Sequence, residues 1–462
     1  MKVNQVDTCQ CPPPGNHSQC CSDADSQPRR RLSADITPFG VYKFSRVAGS
    51  RYGPGYGLGR YMAPNRHLHK MNDAFVIPEG NEFGDEFYAR NLPPAAAEIK
   101  RILGEINRYF HEDYAVSFTK NVAEFLDRMY FRSRWIGFDE LPKRNNPPLP
   151  LIYISNHSGM AFPWDAIIFS SGLLKRAGYQ LKDAARPLIY KALAETDYLN
   201  PYMMHNFWRK VGCIDATLDN FEAMMHSSLA DLLIYPEGVG GISKGFDKRY
   251  KLQHFSLSFT RMAMKFKVDI IPVATINGEY INPYSYRIEE INKAIQKVIK
   301  LPFLPIGPML GMLPASPWAF YFGMPAKLTY VMGEPIKIYE MTDADPDKIS
   351  KGELRQITNQ IQQKMQNHVH EAEAQYGKDP YHWDELIEMW RTNLDKLLYA
   401  LPSGWPLLFA EHDRQYEQNK SVTLDYSNTG FASALTRNPD KAAYLLPFAG
   451  WIPLLKKAHL LS

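Results

Sequence analysis

The stretch LIYISNHSGMAFPWDAIIF, residues 151–169, decides the fold. Its first part, LIYIS, is a short apolar run of the kind buried in the middle of a sheet. Small and turn-forming residues follow, Ser158, Gly159 and Pro163, and DAIIF then reads as the start of a helix. Working outward, further apolar runs stand at PLIYKAL (187–193), LLIYPEG (232–238), DIIPVATI (269–276) and KLTYVMG (327–333), with helix-length segments between them. Strands alternating with helices predict an α/β fold with a mostly parallel central sheet flanked by helices. Ligands of such folds sit where strands end and loops begin.

The flanks divide by pattern. Residues 1–95 are dense in Gly, Pro, Arg and Asn without a sustained period and read as a disordered or loosely attached extension. Over 96–138, Ile99, Ile102, Leu103, Ile106, Tyr109 and Phe110 recur at helical spacing. Phe118, Val122, Phe125, Leu126 and Met129 continue it, so a helical lead-in is expected. The Pro-rich linker 145–150 delivers the chain into LIYIS, and the α/β domain is expected over 139–340. In the remainder, 345–462, Ser350 and Glu353 form a capping box. Leu354, Ile357, Ile361, Met365, Val369 and Ala372 then make one apolar stripe ending near Gly377.

Composition excludes some functions. With 53 Lys plus Arg against 49 Asp plus Glu, a net charge of +4 is too weak a field for a nucleic-acid binder, though it suits an anionic membrane surface or substrate. Four of five cysteines, Cys9, Cys11, Cys20 and Cys21, crowd the first 21 residues; with His17 they suggest zinc or lipid attachment less than incidental thiols of a short tail. The body, holding only Cys213, reads as reduced and intracellular, and no apolar leader follows Met1. No uninterrupted apolar run is long enough to span a bilayer. Residues 301–326 carry no charge, but their prolines and glycines break any helix. This stretch, 397–410 and 442–455 combine aromatics with proline, and Lys456-Lys457 follows the last. They fit either shallow membrane insertion or wrapping of the core.

Two segments carry chemistry. His157 follows the strand LIYIS directly and can act as a general base, and Asp165 at the start of the next helix can fix its tautomer. Alone, such a pair is equally an ordinary structural hydrogen bond. The second segment is YPEGVGGISKGFDKRYKL, 235–252. Gly238, Gly240 and Gly241 allow backbone N–H groups to approach an oxyanion or phosphate, and Lys244, Lys248, Arg249 and Lys251 offer cationic donors. Alone, this is equally a surface turn with a solvated basic face. The same segment contains a G-x-S-x-G pattern around Ser243, which would suit a serine lipase. Residues 236–240 separate it from its strand, however, where a nucleophile elbow must follow directly. Cys213, in an apolar stretch without a neighbouring histidine, reads as core.

Together and in this order, the two segments resemble the glycerolipid acyltransferase superfamily that includes the lysophosphatidate acyltransferases. Asn156-His157 with Asp165 matches its histidine–aspartate block, Pro236-Glu237-Gly238 its Pro-Glu-Gly block, and Ile271-Pro272-Val273 the following strand. The likeness runs from about residue 130 to 338, with Gly333-Glu334-Pro335-Ile336 resembling the closing element. It implies acyl transfer from acyl-CoA or acyl carrier protein to a lipid alcohol, with His157 as base, Asp165 behind it and Glu237 binding the acceptor or organising the site. No metal or bound cofactor is implied. The retention of His157, Asp165 and Glu237 together weighs against a non-catalytic lipid-binding protein. Three departures narrow this: seven residues instead of four separate histidine from aspartate; Ala216 stands where an acceptor-phosphate arginine is usual; and Val239-Gly240-Gly241 replaces a second arginine. Either the basic run 244–251 replaces these clamps or the acceptor is uncharged. The basic stretch and its continuation, Tyr250 to Phe255, resemble a bacterial-type branch in which a Pro-rich stretch precedes the closing strand, so 301–325 is expected to border an acyl tunnel or a membrane-facing mouth.

Overall fold

The computed structural model of the protein describes residues 94–457, apart from 158, 160–161, 289 and 291–302. The extension expected over 1–95, with its cysteine cluster, therefore falls almost wholly outside the described residues. Seven strands form one sheet: β1 Arg134–Ile136, β2 Ile152–Ser155, β3 Ala185–Ile189, β4 Ile214–Asp215, β5 Asp231–Ile234, β6 Ile270–Ile276 and β7 Thr329–Met332. They lie in the order β1-β7-β6-β2-β5-β3-β4. All neighbours run parallel except β6 and β7. The helices that matter below are α1 Pro94–Asn107, α2 Glu112–Phe118, α3 Trp164–Arg176, α4 Leu218–Met225, α5 Val239–Ile242, α6 Ser258–Phe266, α7 Lys351–Tyr376, α8 Trp405–Asn419 and α9 Trp451–Lys457.

The sheet is apolar on both faces, which is why its strands read as unbroken apolar runs. Successive side chains alternate across a strand. Tyr153, Leu233 and Ile271 accordingly join one core with Phe169, Tyr330 and Trp405. Ile152, Ile154, Leu232, Ile234 and Ile270 join the other with Met224, Phe259, Leu354 and Ile361 from α4, α6 and α7. The capping box of α7 is formed: the Ser350 hydroxyl accepts from Glu353 N–H, and the Glu353 carboxylate accepts from Ser350 N–H. Its buried stripe is the expected one, with Thr358 added and Ile357 only partly covered.

Two expectations change. The lead-in over 96–138 is not wholly helical, because β1 lies within it and pairs with β7. The helix begun by α2 also passes through two π-type turns, Thr119–Ala123 and Asp127–Phe131. PLIYKAL is half strand: from Lys191 the chain is helical, Lys191–Glu195. Of the two alternatives open for 397–410, Tyr399, Trp405, Leu407, Leu408 and Phe409 take the core one, being buried, while Leu398 is exposed. Trp405 packs edge-on to Trp164 at 4.7 Å and Tyr130 at 5.0 Å. Burying one large apolar side chain contributes roughly 1.5–3 kcal/mol, enough for a few of them to seat α8 firmly.

Candidate active site

The order of strands reverses around β2: the chain leaves β2 for β3 on one side and crosses from β5 to β6 on the other. At such a point the loops after the strands part and leave a crevice. His157 follows β2 there, and Glu237 follows β5.

The His157 loop is fixed from below. The Asn156 amide donates to Thr275 O at 2.8 Å and accepts from Thr275 N–H at 2.7 Å, which clamps the end of β2 to β6. Ser155 Oγ donates to Val273 O at 2.9 Å. Gly159 has φ +103°, and a Cβ there would lie 2.7 Å from Gly278 O, so only glycine allows the loop this close approach. His157 Nδ1 and Asp165 Oδ2 stand 3.0 Å apart. Asp165 is fully buried in the first turn of α3, where Tyr330 donates its hydroxyl to the Asp165 carbonyl at 2.8 Å. Paired to a carboxylate, Nδ1 carries the proton and Nε2 keeps its lone pair. Among the described residues none takes Nε2. The imidazole lies against the Tyr235 ring at 4.2 Å. Burial holds the Tyr235 phenol well above the usual range, so it stays neutral.

The imidazole borders a cavity of about 180 Å³ between α3, β3 and the loops after β2 and β5. Its walls are apolar, with Phe118, Phe162, Ile167, Leu188, Phe207 and Trp208 among them. Ala216 and Val239 line it as well, together with Ile242, whereas Gly240 of the stretch Val239-Gly240-Gly241 faces a separate polar cleft. Phe303 and Phe320 of the Pro-rich stretch complete it, so that stretch does border the cavity. Among the described residues one charged side chain contributes to the wall: the Arg186 guanidinium donates to Gly212 O at 2.8 Å and Asn107 Oδ1 at 2.7 Å and lies over Phe110. Cys213 also lines the cavity, and burial pushes its thiol up to about 12, which removes it as a nucleophile.

The residues expected to bind substrate beyond the pair behave differently from that expectation. Glu237 is buried, and both carboxylate oxygens are taken: Oε1 by His157 N–H at 3.0 Å and Oε2 by Gln253 N–H at 2.5 Å. It ties the loop after β2 to the loop after β5 and presents no free oxygen to an acceptor. Gly238 (φ +56°) and Gly241 donate their N–H groups to Tyr235 O and Gly238 O, so neither is available for an anion. A Cβ at Gly241 would stand 2.7 Å from that of Glu237; glycine serves to admit the glutamate. Lys244 is buried, with Nζ 3.6 Å from Glu237 and 3.8 Å from Glu279. Lys248, Arg249 and Lys251 are exposed, and only Lys248 joins Gly240, Ser243, Lys244 and Arg287 in a separate polar cleft. Ser243 is buried and its hydroxyl accepts from Arg287 at 3.0 Å, whereas a nucleophile elbow exposes its serine. Sequence reasoning missed Thr275, Gly278 and Glu279. Thr275 had a signal, a hydroxyl inside an otherwise apolar strand.

The structure thus brings a histidine–carboxylate pair to the switch point of a mostly parallel sheet, beside a largely apolar cavity. Residues 139–276 match the family model described as Acyltransferase. The chain is similar to an uncharacterized protein of Mycobacterium bovis, 25% identical over 260 residues, covering 55% of this chain and 67% of that one. An uncharacterized Mycobacterium leprae protein is 26% identical over 289 residues, 59% and 73% of the two chains. A crystal structure of the 1-acyl-sn-glycerophosphate (LPA) acyltransferase PlsC from Thermotoga maritima aligns at 14% identity and a TM-score of 0.31, over 63% of this chain and 88% of that one. Among the described residues, no helix is long and apolar enough to cross a membrane.

Proposed function

We propose that the protein moves a fatty acyl group from a thioester donor, acyl-CoA or acyl carrier protein, to the hydroxyl of an uncharged lipid alcohol. His157 Nε2 takes the alcohol proton as the oxygen bonds to the thioester carbonyl carbon. Collapse of the tetrahedral intermediate breaks the C–S bond, and the imidazolium returns the proton to the departing sulfur. Asp165 holds the ring and offsets its charge in that interval. Glu237 is a positioning residue, acting through the backbone of His157.

The observation that carries this reading is the 3.0 Å His157–Asp165 contact at the wall of a largely apolar cavity. Support for an uncharged acceptor comes from Ala216 and Val239 in that wall, and from Lys244 being held between two glutamates. In a purified-protein assay of free CoA release, His157→Ala is expected to lower kcat by about 10²–10⁴-fold. Asp165→Asn is expected to lower kcat with little change in KM, because the wrong tautomer would then face substrate. Unchanged release by His157→Ala would refute the mechanism.

A further inference from the structure

We infer that residues 308–318 and 444–452 form the face by which this protein settles on a lipid bilayer. The two segments are distant in sequence but held as one surface. Phe448 N–H donates to Ala315 O at 2.6 Å, Trp451 Nε1–H to Pro314 O at 2.9 Å, and the rings of Trp318 and Tyr444 lie 4.3 Å apart. Gly450 sits so close beneath Trp318 that a Cβ would come within 2.6 Å of its indole nitrogen.

What this surface turns outward is apolar: Met312 is 46% exposed, Leu446 59%, Phe448 66%, Trp451 38% and Ile452 44%. Scattered exposed apolar residues are ordinary, but a contiguous group of this kind marks a binding surface. Phe448 adds an argument of its own. Its φ of +63° is strained for an aromatic residue, and the ring it presents is not buried.

The chemistry of the two segments favours lipid over protein. Neither 301–326 nor 442–455 contains a charged residue, and Lys456 and Lys457 follow the second. Aromatic and aliphatic side chains beside lysines are the composition of segments that lie at headgroup depth. The stretch is also continuous with the candidate site, because Phe320 lines the cavity two residues beyond Trp318. A bilayer held here would bring lipid substrates beside that cavity; this part rests on the acyl-transfer reading, whereas the docking does not.

The test is flotation of the full chain with vesicles of phosphatidylcholine and phosphatidylglycerol, with neither donor nor acceptor present, so that its outcome is independent of acyl transfer. The wild type is expected to float. Leu446→Ser/Phe448→Ser/Ile452→Ser, which leaves the Trp451 hydrogen bond intact, is expected to bind at least about tenfold more weakly with an unchanged melting temperature. Phe448→Gly guards against a folding defect: it removes the φ strain, so it should melt no lower than the wild type and still bind more weakly. A wild type that stays with the unbound fraction overturns the proposal. So do variants that float equally, or variants that lose self-association while keeping vesicle affinity, an outcome that would assign the face to a second copy of the chain.

Discussion

Lys244 carries its ammonium into the interior beside the Glu237 and Glu279 carboxylates, with its side chain 1% exposed. Burial raises Glu279 above the ordinary carboxylate range, and the nearby Lys244 charge opposes that rise. Removing the cation leaves two buried acids without compensation, so Lys244→Met is expected to cost about 3–5 kcal/mol by denaturant unfolding. Lys248→Ala, at an exposed site, should stay within about 0.5 kcal/mol of the wild type. Equal stability of the two variants, with a loss of acceptor affinity in Lys244→Met, would restore the reading of Lys244 as an anion clamp. That reading arose because the sequence sets Lys244 in a basic run, while Glu279 lies far along the chain and announces nothing. His157 and Asp165 were legible because both flank recognisable elements. The bulge that joins them was not, since it depends on Gly159 meeting Gly278.

At the scale of elements, α8 shows how a segment of membrane-like composition becomes core. Its His412 is buried beside Ser117 at 3.1 Å, and that burial lowers the imidazole to about 4 from an ordinary value near 6.5. A histidine depressed in the folded state is protonated first in the unfolded one, so its contribution is complete above pH 6.5 and is lost as pH falls toward 4. Melting temperature should therefore drop across that window, and His412→Gln should drop less; parallel curves would contradict the assignment. Strands β2, β5, β6 and β7 were legible because buried positions on both faces leave apolar runs. Strands β1 and β4, of three and two residues at opposite edges, are too short to hold a pattern. The division of 442–455 into buried Tyr444 and exposed Leu446, Phe448 and Ile452 depends on 308–318 lying against it, which no local pattern contains.

For the molecule as a whole, one sheet places the His157–Asp165 pair at its switch point, a largely apolar cavity beside it and an apolar surface next to the segment that borders the cavity. The proposed chemistry draws on residues the sequence displays; the proposed acceptor draws on the walls, where Ala216 and Val239 stand and the Arg186 guanidinium is held by Gly212 and Asn107. The central proposal is therefore that His157 serves as the base by which an uncharged lipid alcohol is acylated. It is tested most directly by mass spectrometry of the lipids formed when the full chain receives a long-chain acyl-CoA with a diacylglycerol, a long-chain alcohol or a lysophosphatidate. The expected result is an acylated uncharged product at a rate at least about tenfold above phosphatidate, a margin of ~1.4 kcal/mol, and no product above background with His157→Ala. Phosphatidate as the main product, or full product from His157→Ala, would contradict it.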